Sequence, residues 1–102
     1  MFIIKVTYKT PISEVDKYLQ AHREFLDYYY KQGLLLVSGP MKPRTGGIII
    51  ALTTDRLYLE SILKKDPYYL AEIGDYELIE FTPIKHREEL HDVIHQTEGK
   101  LC

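Results

Sequence analysis

Two short segments in the middle of the chain, Leu34 to Ser38 and Gly47 to Thr53, are apolar on both of their alternating faces. Leu34, Leu36, Ile48, Ile50 and Leu52 alternate with Leu35, Val37, Ile49 and Ala51. Strands of this kind sit inside a sheet whose two faces are both covered. The rest of the chain must supply that cover. Phe2 to Tyr8 alternates with period two and predicts a first strand. After Pro11, Val15, Leu19, His22, Leu26 and Tyr29 recur at spacings of three and four, which predicts an amphipathic helix capped by Ser13 and stopped at Gly33. Thr54 is the expected cap of a second helix carried by Leu59, Ile62 and Leu63. Asp66-Pro67 marks its end, with Asp66 capping a further short turn that Tyr69, Leu70 and Ile73 continue and Gly74 closes. Asp75 to Ile84 alternates again as a fourth strand. His86 to Thr97 carries the narrow stripe Leu90, Val93 and Ile94 of an extra helix.

The order βαββαβ predicts an α+β ferredoxin-like sandwich, an antiparallel sheet with helices on one face. Two helices cover one face of the middle strands, and the C-terminal helix is too weakly apolar to cover the other alone. The expectation is a face-to-face homodimer, with residues 1–85 as the domain and 86–102 as a helical extension. Truncation after Lys85 should leave the core folded.

The chain has 102 residues, one cysteine (Cys102) and a formal net charge of −2. A disulfide framework within the chain and a multi-thiolate zinc site are excluded. The charge balance gives no general reason to bind nucleic acid or an anionic membrane. No apolar run reaches the roughly 18 residues of a membrane span, and the start does not read as a secretory signal, so a cytoplasmic location is expected. No nucleophile elbow, phosphate loop or dinucleotide fingerprint occurs, and no cofactor is implied.

Two residues stand out for chemistry. His22 reads either as a core histidine or as a proton carrier. Asp66 reads either as a helix cap or as the carboxylate that orients an imidazole. Backbone N–H groups at Ser38 and Gly39 would suit an oxyanion if that segment is more than a turn. Arg44, in the loop from Met41 to Gly47, would pair with a ligand carboxylate if it is not simply solvated. The tyrosines at 28–30 and 68–69 serve as core and rim or line a pocket. His91 and His95 share a helix face, but the helix-borne zinc motif has Glu where this chain has Asp92, and no third ligand is evident although His86 is near. A solvated or dimer-edge helix without metal is expected.

The segments around His22, Gly33-Leu34-Leu35, Ser38-Gly39-Pro40-Met41, Pro43-Arg44-Thr45-Gly46-Gly47, Asp66-Pro67-Tyr68 and Glu80-Phe81-Thr82-Pro83 together resemble the YciI-like family over residues 1–85. The resemblance implies a ferredoxin-like fold that dimerises into an α/β barrel. It implies an active site built on His22 and Asp66, with the Ser38-Gly39-Pro40 loop beside it, and it favours the site reading of His22. Some relatives are implicated in dehydrochlorination of hydroxylated aromatic rings. The family often has an acidic residue where this chain has Gln32, and residues 86–102 lie outside the shared core.

The expected function is a small lyase or isomerase of dehydrochlorinase-like type, with His22 as general acid/base, Asp66 fixing its tautomer and stabilising the imidazolium, and Ser38, Gly39, Arg44 and Tyr68 at the substrate. The alternatives are a non-catalytic dimeric module that binds a small ligand, and a purely structural interaction domain with no cavity at His22.

Overall fold

A computed structural model describes residues 1–95. The end of the expected last helix at Thr97, and Cys102, lie outside the described residues. The elements run β1 (Phe2–Tyr8), α1 (Ile12–Asp16), α2 (Leu19–Lys31), β2 (Leu35–Pro40), β3 (Gly46–Ala51), α3 (Arg56–Leu63), α4 (Pro67–Leu70) and β4 (Gly74–Glu80). A 3-10 turn, Glu88–Leu90, and α5 (His91–Ile94) follow. The four strands form one antiparallel sheet in the order β2-β3-β1-β4. This is the expected ferredoxin-like α+β sandwich.

The helix side of the sheet holds the main core. Phe2, Ile4 and Val6 point there from β1, and Ala51 and Ile49 lie beside the first two on β3. Leu26 from α2 and Leu59, Ile62 and Leu63 from α3 close over them. Val6 instead has Gly47 opposite, so no side chain fills the sheet surface there. Gly46 is required by close approach, since a Cβ on it would meet the Val6 carbonyl oxygen.

Several local expectations are corrected. The first helix is two pieces, broken at Lys17-Tyr18, and Ser13 does not cap it; Pro11 holds the N-cap position with no side-chain bond. Asp55, not Thr54, caps α3, its side chain accepting the Tyr58 N–H. Gly74 opens β4, and the left-handed residue after α4 is Glu72 (φ 55°). Tyr69 and Leu70 are exposed, and Tyr68 is the buried residue of that turn. Ser38-Gly39-Pro40 belongs to strand β2 rather than to a turn.

A bulge in β2 decides which way Ser38 points. Leu35 lies opposite Ala51 and Val37 opposite Ile50, so two steps on β2 match one on β3. Ser38 then falls opposite Ile49, on the helix side. Unbroken alternation would have put it on the other face.

That other face carries half-buried Ile3, Ile48 and Ile50 and exposed Val37 and Ile79. The C-terminal segment covers one end of it. Ile94 is buried with Met1 and Leu52, and Leu90, Leu36 and Ile50 pack around them. The segment is therefore tied to the fold, and truncation after Lys85 is expected to cost about 2–3 kcal/mol while the sheet and helices survive. Urea denaturation of the truncated and full chains checks this; equal midpoints would contradict it.

Candidate active site

His22 sits in the first turn of α2, where the apolar stripe turns the side chain toward the sheet. Leu19, His22, Arg23 and Leu26 share that face, and all four line a cleft of about 510 Å³ between α2 and the sheet. The floor is Val6, Gly47 and Ile49, with Ser38, Gly39 and Pro40 on one side and Tyr8, Arg44 and Tyr68 on another. The low floor follows from glycine opposite Val6.

Asp66 does not line the cleft; it meets His22 from behind the lining. The chain leaves α3, turns, and starts α4 with Pro67 at its first position. Asp66 Oδ1 accepts the Tyr68 N–H at 2.9 Å, the expected cap. The carboxylate is fully buried. His22 Nδ1 lies 2.8 Å from Oδ1 and 3.0 Å from Oδ2, and Tyr76 donates its O–H to Oδ2 at 2.7 Å. Every partner of this acceptor is a donor, so His22 carries its hydrogen on Nδ1. Nε2 makes no hydrogen bond among the described residues, and the ring lines the cleft. The His22 side chain is 13% exposed.

Tyr68 supports the ring from below. The two rings stack with centroids 3.9 Å apart and planes 3° apart. Tyr8 meets Tyr68 edge-on at 6.1 Å. The Tyr68 hydroxyl is buried without a hydrogen-bond partner among the described residues. Burial above all, with the Tyr8 hydroxyl adding to it and Arg44 opposing, pushes the Tyr68 phenol up to about 12. Burial, reinforced by the Asp66 charge and hydrogen bond, raises the Tyr76 phenol strongly, so Tyr76 stays a donor.

The sign of the alkaline response follows. A tyrosine is ionised above about pH 10 in the unfolded chain, while Tyr68 stays neutral up to about 12 in the fold. Between these values the unfolded state binds fewer protons, so stability is full below pH 10 and falls as pH rises. Tyr68→Phe removes this response and an unsatisfied buried hydroxyl. It is expected to be as stable as wild type at pH 7, or more stable by up to about 1 kcal/mol, and to decline less steeply above pH 10. Thermal melts at pH 7 to 11 check both; a loss above about 1 kcal/mol at pH 7 would show that the hydroxyl has a partner.

The other expected site residues are also accounted for. Ser38 lines the cleft, but its hydroxyl is engaged by Tyr30 at 2.6 Å. Gly39 lines it as well, and a Cβ there would meet nothing within 4 Å, so space does not demand glycine. Both lie on an edge strand, where alternate N–H groups have no neighbouring strand among the described residues. Arg44 stands at the mouth, 2.6 Å from Asp16 of α1 and with its guanidinium carbon 5.9 Å from the centre of the Tyr8 ring. The Asp16 hydrogen bond is the main reason its guanidinium is held even more firmly protonated. None of His86, His91 and His95 lines the cleft.

Tyr76 and Asp16 escaped the sequence reading. Tyr76 had a signal. It occupies an inward position of β4 between exposed Asp75 and Glu77, and a buried phenol needs a partner.

Residues 1–82 match the YCII-related domain. The chain belongs to that family. No curated protein matches it. Among solved structures it is similar to 5-chloro-2-hydroxyhydroquinone dehydrochlorinase from Burkholderia phenoliruptrix AC1100, in complex with 2,5-dihydroxybenzoquinone. The two superpose with a TM-score of 0.67 at 18% identity, over 87% of this chain and 98% of that one. The likeness is one of fold. It spans most of this YCII-related chain, and no helix among the described residues is long and apolar enough to cross a membrane.

Proposed function

We propose that the cleft is a proton-transfer site of a lyase or isomerase acting on a small hydroxylated ring, with dehydrochlorination as the reaction class. The observation that carries this reading is the state of His22. One ring nitrogen is tied to a buried carboxylate and the other is left for a molecule in the cleft. His22 Nε2 serves as general base and acid. Asp66 fixes the tautomer and offsets the charge when the ring is protonated. Tyr68 and Tyr76 are positioning residues. Of Ser38 and Gly39, adjacent on the edge strand, one offers its N–H to a ring oxygen, and Arg44 is available to an anionic substituent once it parts from Asp16.

The chemistry balances without an external oxidant. On a chlorinated hydroxyhydroquinone, His22 takes a proton from one ring hydroxyl and returns it to the chlorine-bearing carbon, giving the keto tautomer. A second hydroxyl then loses its proton as the C–Cl electron pair leaves with chloride. The ring becomes a quinone, and one HCl is lost per turnover.

The test uses 5-chloro-2-hydroxyhydroquinone as substrate and 2,5-dihydroxybenzoquinone as ligand. Chloride release, together with ligand-induced shifts of the His22 ring signals, is expected. Ligand shifts without turnover would favour the binding-module reading, and neither would remove the site.

The same reading includes a homodimer joined through the open sheet face, with residues 86–102 as an extension beyond the shared domain. Ile3, Val37, Ile48, Ile50 and Ile79 give that face its apolar surface. Light scattering at micromolar concentration is expected to give twice the chain mass; the monomer mass would contradict it.

A further inference from the structure

The tail holds a second cluster that the cleft does not use. His86 precedes the 3-10 turn, and His91 and His95 stand one helical turn apart on α5. The fold brings all three together. One ring nitrogen from each lies within 4.8 Å of the others. Ring centroids are 4.5 Å apart for His91 and His95, 5.3 Å for His86 and His95, and 5.4 Å for His86 and His91. The sequence reading lacked a third ligand, and His86 supplies it.

We propose that His86, His91 and His95 form a three-imidazole site for a divalent transition-metal ion of the zinc type.

Two details go beyond proximity. His86 Nε2 and His95 Nε2 face each other at 3.3 Å. Zinc–nitrogen bonds of about 2.0–2.1 Å at a tetrahedral angle set ligand nitrogens about 3.3–3.4 Å apart. In addition, His86 Nδ1 donates its N–H to the Arg87 carbonyl at 2.9 Å. That bond leaves the lone pair on Nε2, the atom facing His95. A backbone carbonyl on the far nitrogen is the outer-shell partner usual for a metal-bound histidine. The donor set is neutral nitrogen without thiolate, which suits Zn²⁺, Co²⁺, Ni²⁺ and Cu²⁺ over Mg²⁺ or Ca²⁺. Three protein ligands leave a fourth tetrahedral position for water or another donor. His91 is exposed and His86 and His95 are half-buried. The ion would join the segment before the 3-10 turn to α5, and so hold in place the turn that presents buried Ile94 to Met1 and Leu52.

The experiment uses the full chain, freed of metal with a chelator and titrated with Zn²⁺ by calorimetry and with Co²⁺ by visible absorption. One ion per chain is expected, with the absorption of a four- or five-coordinate cobalt centre and a zinc-dependent rise in melting temperature. His86→Ala, His91→Ala and His95→Ala should each weaken binding by more than the roughly 10- to 100-fold that loss of an outer-shell partner costs. Their circular dichroism should match wild type, because none of the three side chains is buried. The chain holds four histidines, so His22→Ala is the control and should bind as wild type does. No binding at micromolar metal, binding that survives the three tail substitutions, or binding lost with His22→Ala would overturn the proposal.

Discussion

Asp66→Ala is expected to lower stability by about 3 kcal/mol. For a domain near this size that is a fall in melting temperature of about 15 °C. The substitution strips three donors of one acceptor. The Tyr68 N–H loses its cap, worth about 1 kcal/mol. The Tyr76 hydroxyl and the His22 Nδ1–H lose their partners, at about 1–3 kcal/mol for each group left buried and unpaired. The sum exceeds the expected net effect because a buried carboxylate carries its own desolvation cost, which the alanine removes. A double-mutant cycle with Tyr76→Phe checks the account. In the absence of Asp66 the Tyr76 hydroxyl has nothing to donate to, so the second substitution should cost much less than it does in wild type. Additive losses would mean that the two groups are not coupled.

His22→Ala is expected to reduce chloride release from 5-chloro-2-hydroxyhydroquinone by about 10²–10⁴-fold, the range for loss of a general acid/base. The fold should tolerate the change better than it tolerates Asp66→Ala. Asp66 would keep its bonds to Tyr68 and Tyr76, and its third donor would be replaced by water entering from the cleft. Asp66→Asn offers a sharper test of mechanism. Its carbonyl can still accept the Tyr68 N–H and the His22 Nδ1–H, the latter 2.8 Å from Oδ1 in the wild type, while its amide group donates where Tyr76 also donates. The ring keeps its hydrogen on Nδ1, but the negative charge that offsets the protonated imidazole is gone. Asp66→Asn should therefore lower turnover, by less than His22→Ala does, while keeping the secondary structure, measured by turnover and circular dichroism on the same samples. Activity near wild type in Asp66→Asn would separate the carboxylate from the chemistry.

The four strands, the two main helices and the inward direction of His22 follow from residue periodicity, because burial of one face repeats every two or every three to four residues. Asp66 at a kink before Pro67 was legible for a local reason: a cap and a proline at the first helical position make their own signal over two residues. The break at Lys17-Tyr18 was hidden, since Val15 and Leu19 keep helical spacing across it. The direction of Ser38 was hidden as well. A bulge leaves no mark in an apolar run such as Leu34 to Val37, where either face is tolerated. The meeting of His22 with Asp66, 44 positions apart, depends on how two helices are laid on one sheet, and no local pattern encodes that distance. The family resemblance supplied the pairing, and the bond itself came from the structure. The same limit applied to the tail, where His86 reaches His95 only because a short turn folds the segment back.

The tautomer of His22 tests the central claim most directly. With 15N-labelled histidine, NMR correlations across two and three bonds distinguish a ring protonated at Nδ1 from one protonated at Nε2, at a pH where the ring is neutral. The account predicts hydrogen on Nδ1 and a bare Nε2 in the wild-type chain. Hydrogen on Nε2 would contradict it.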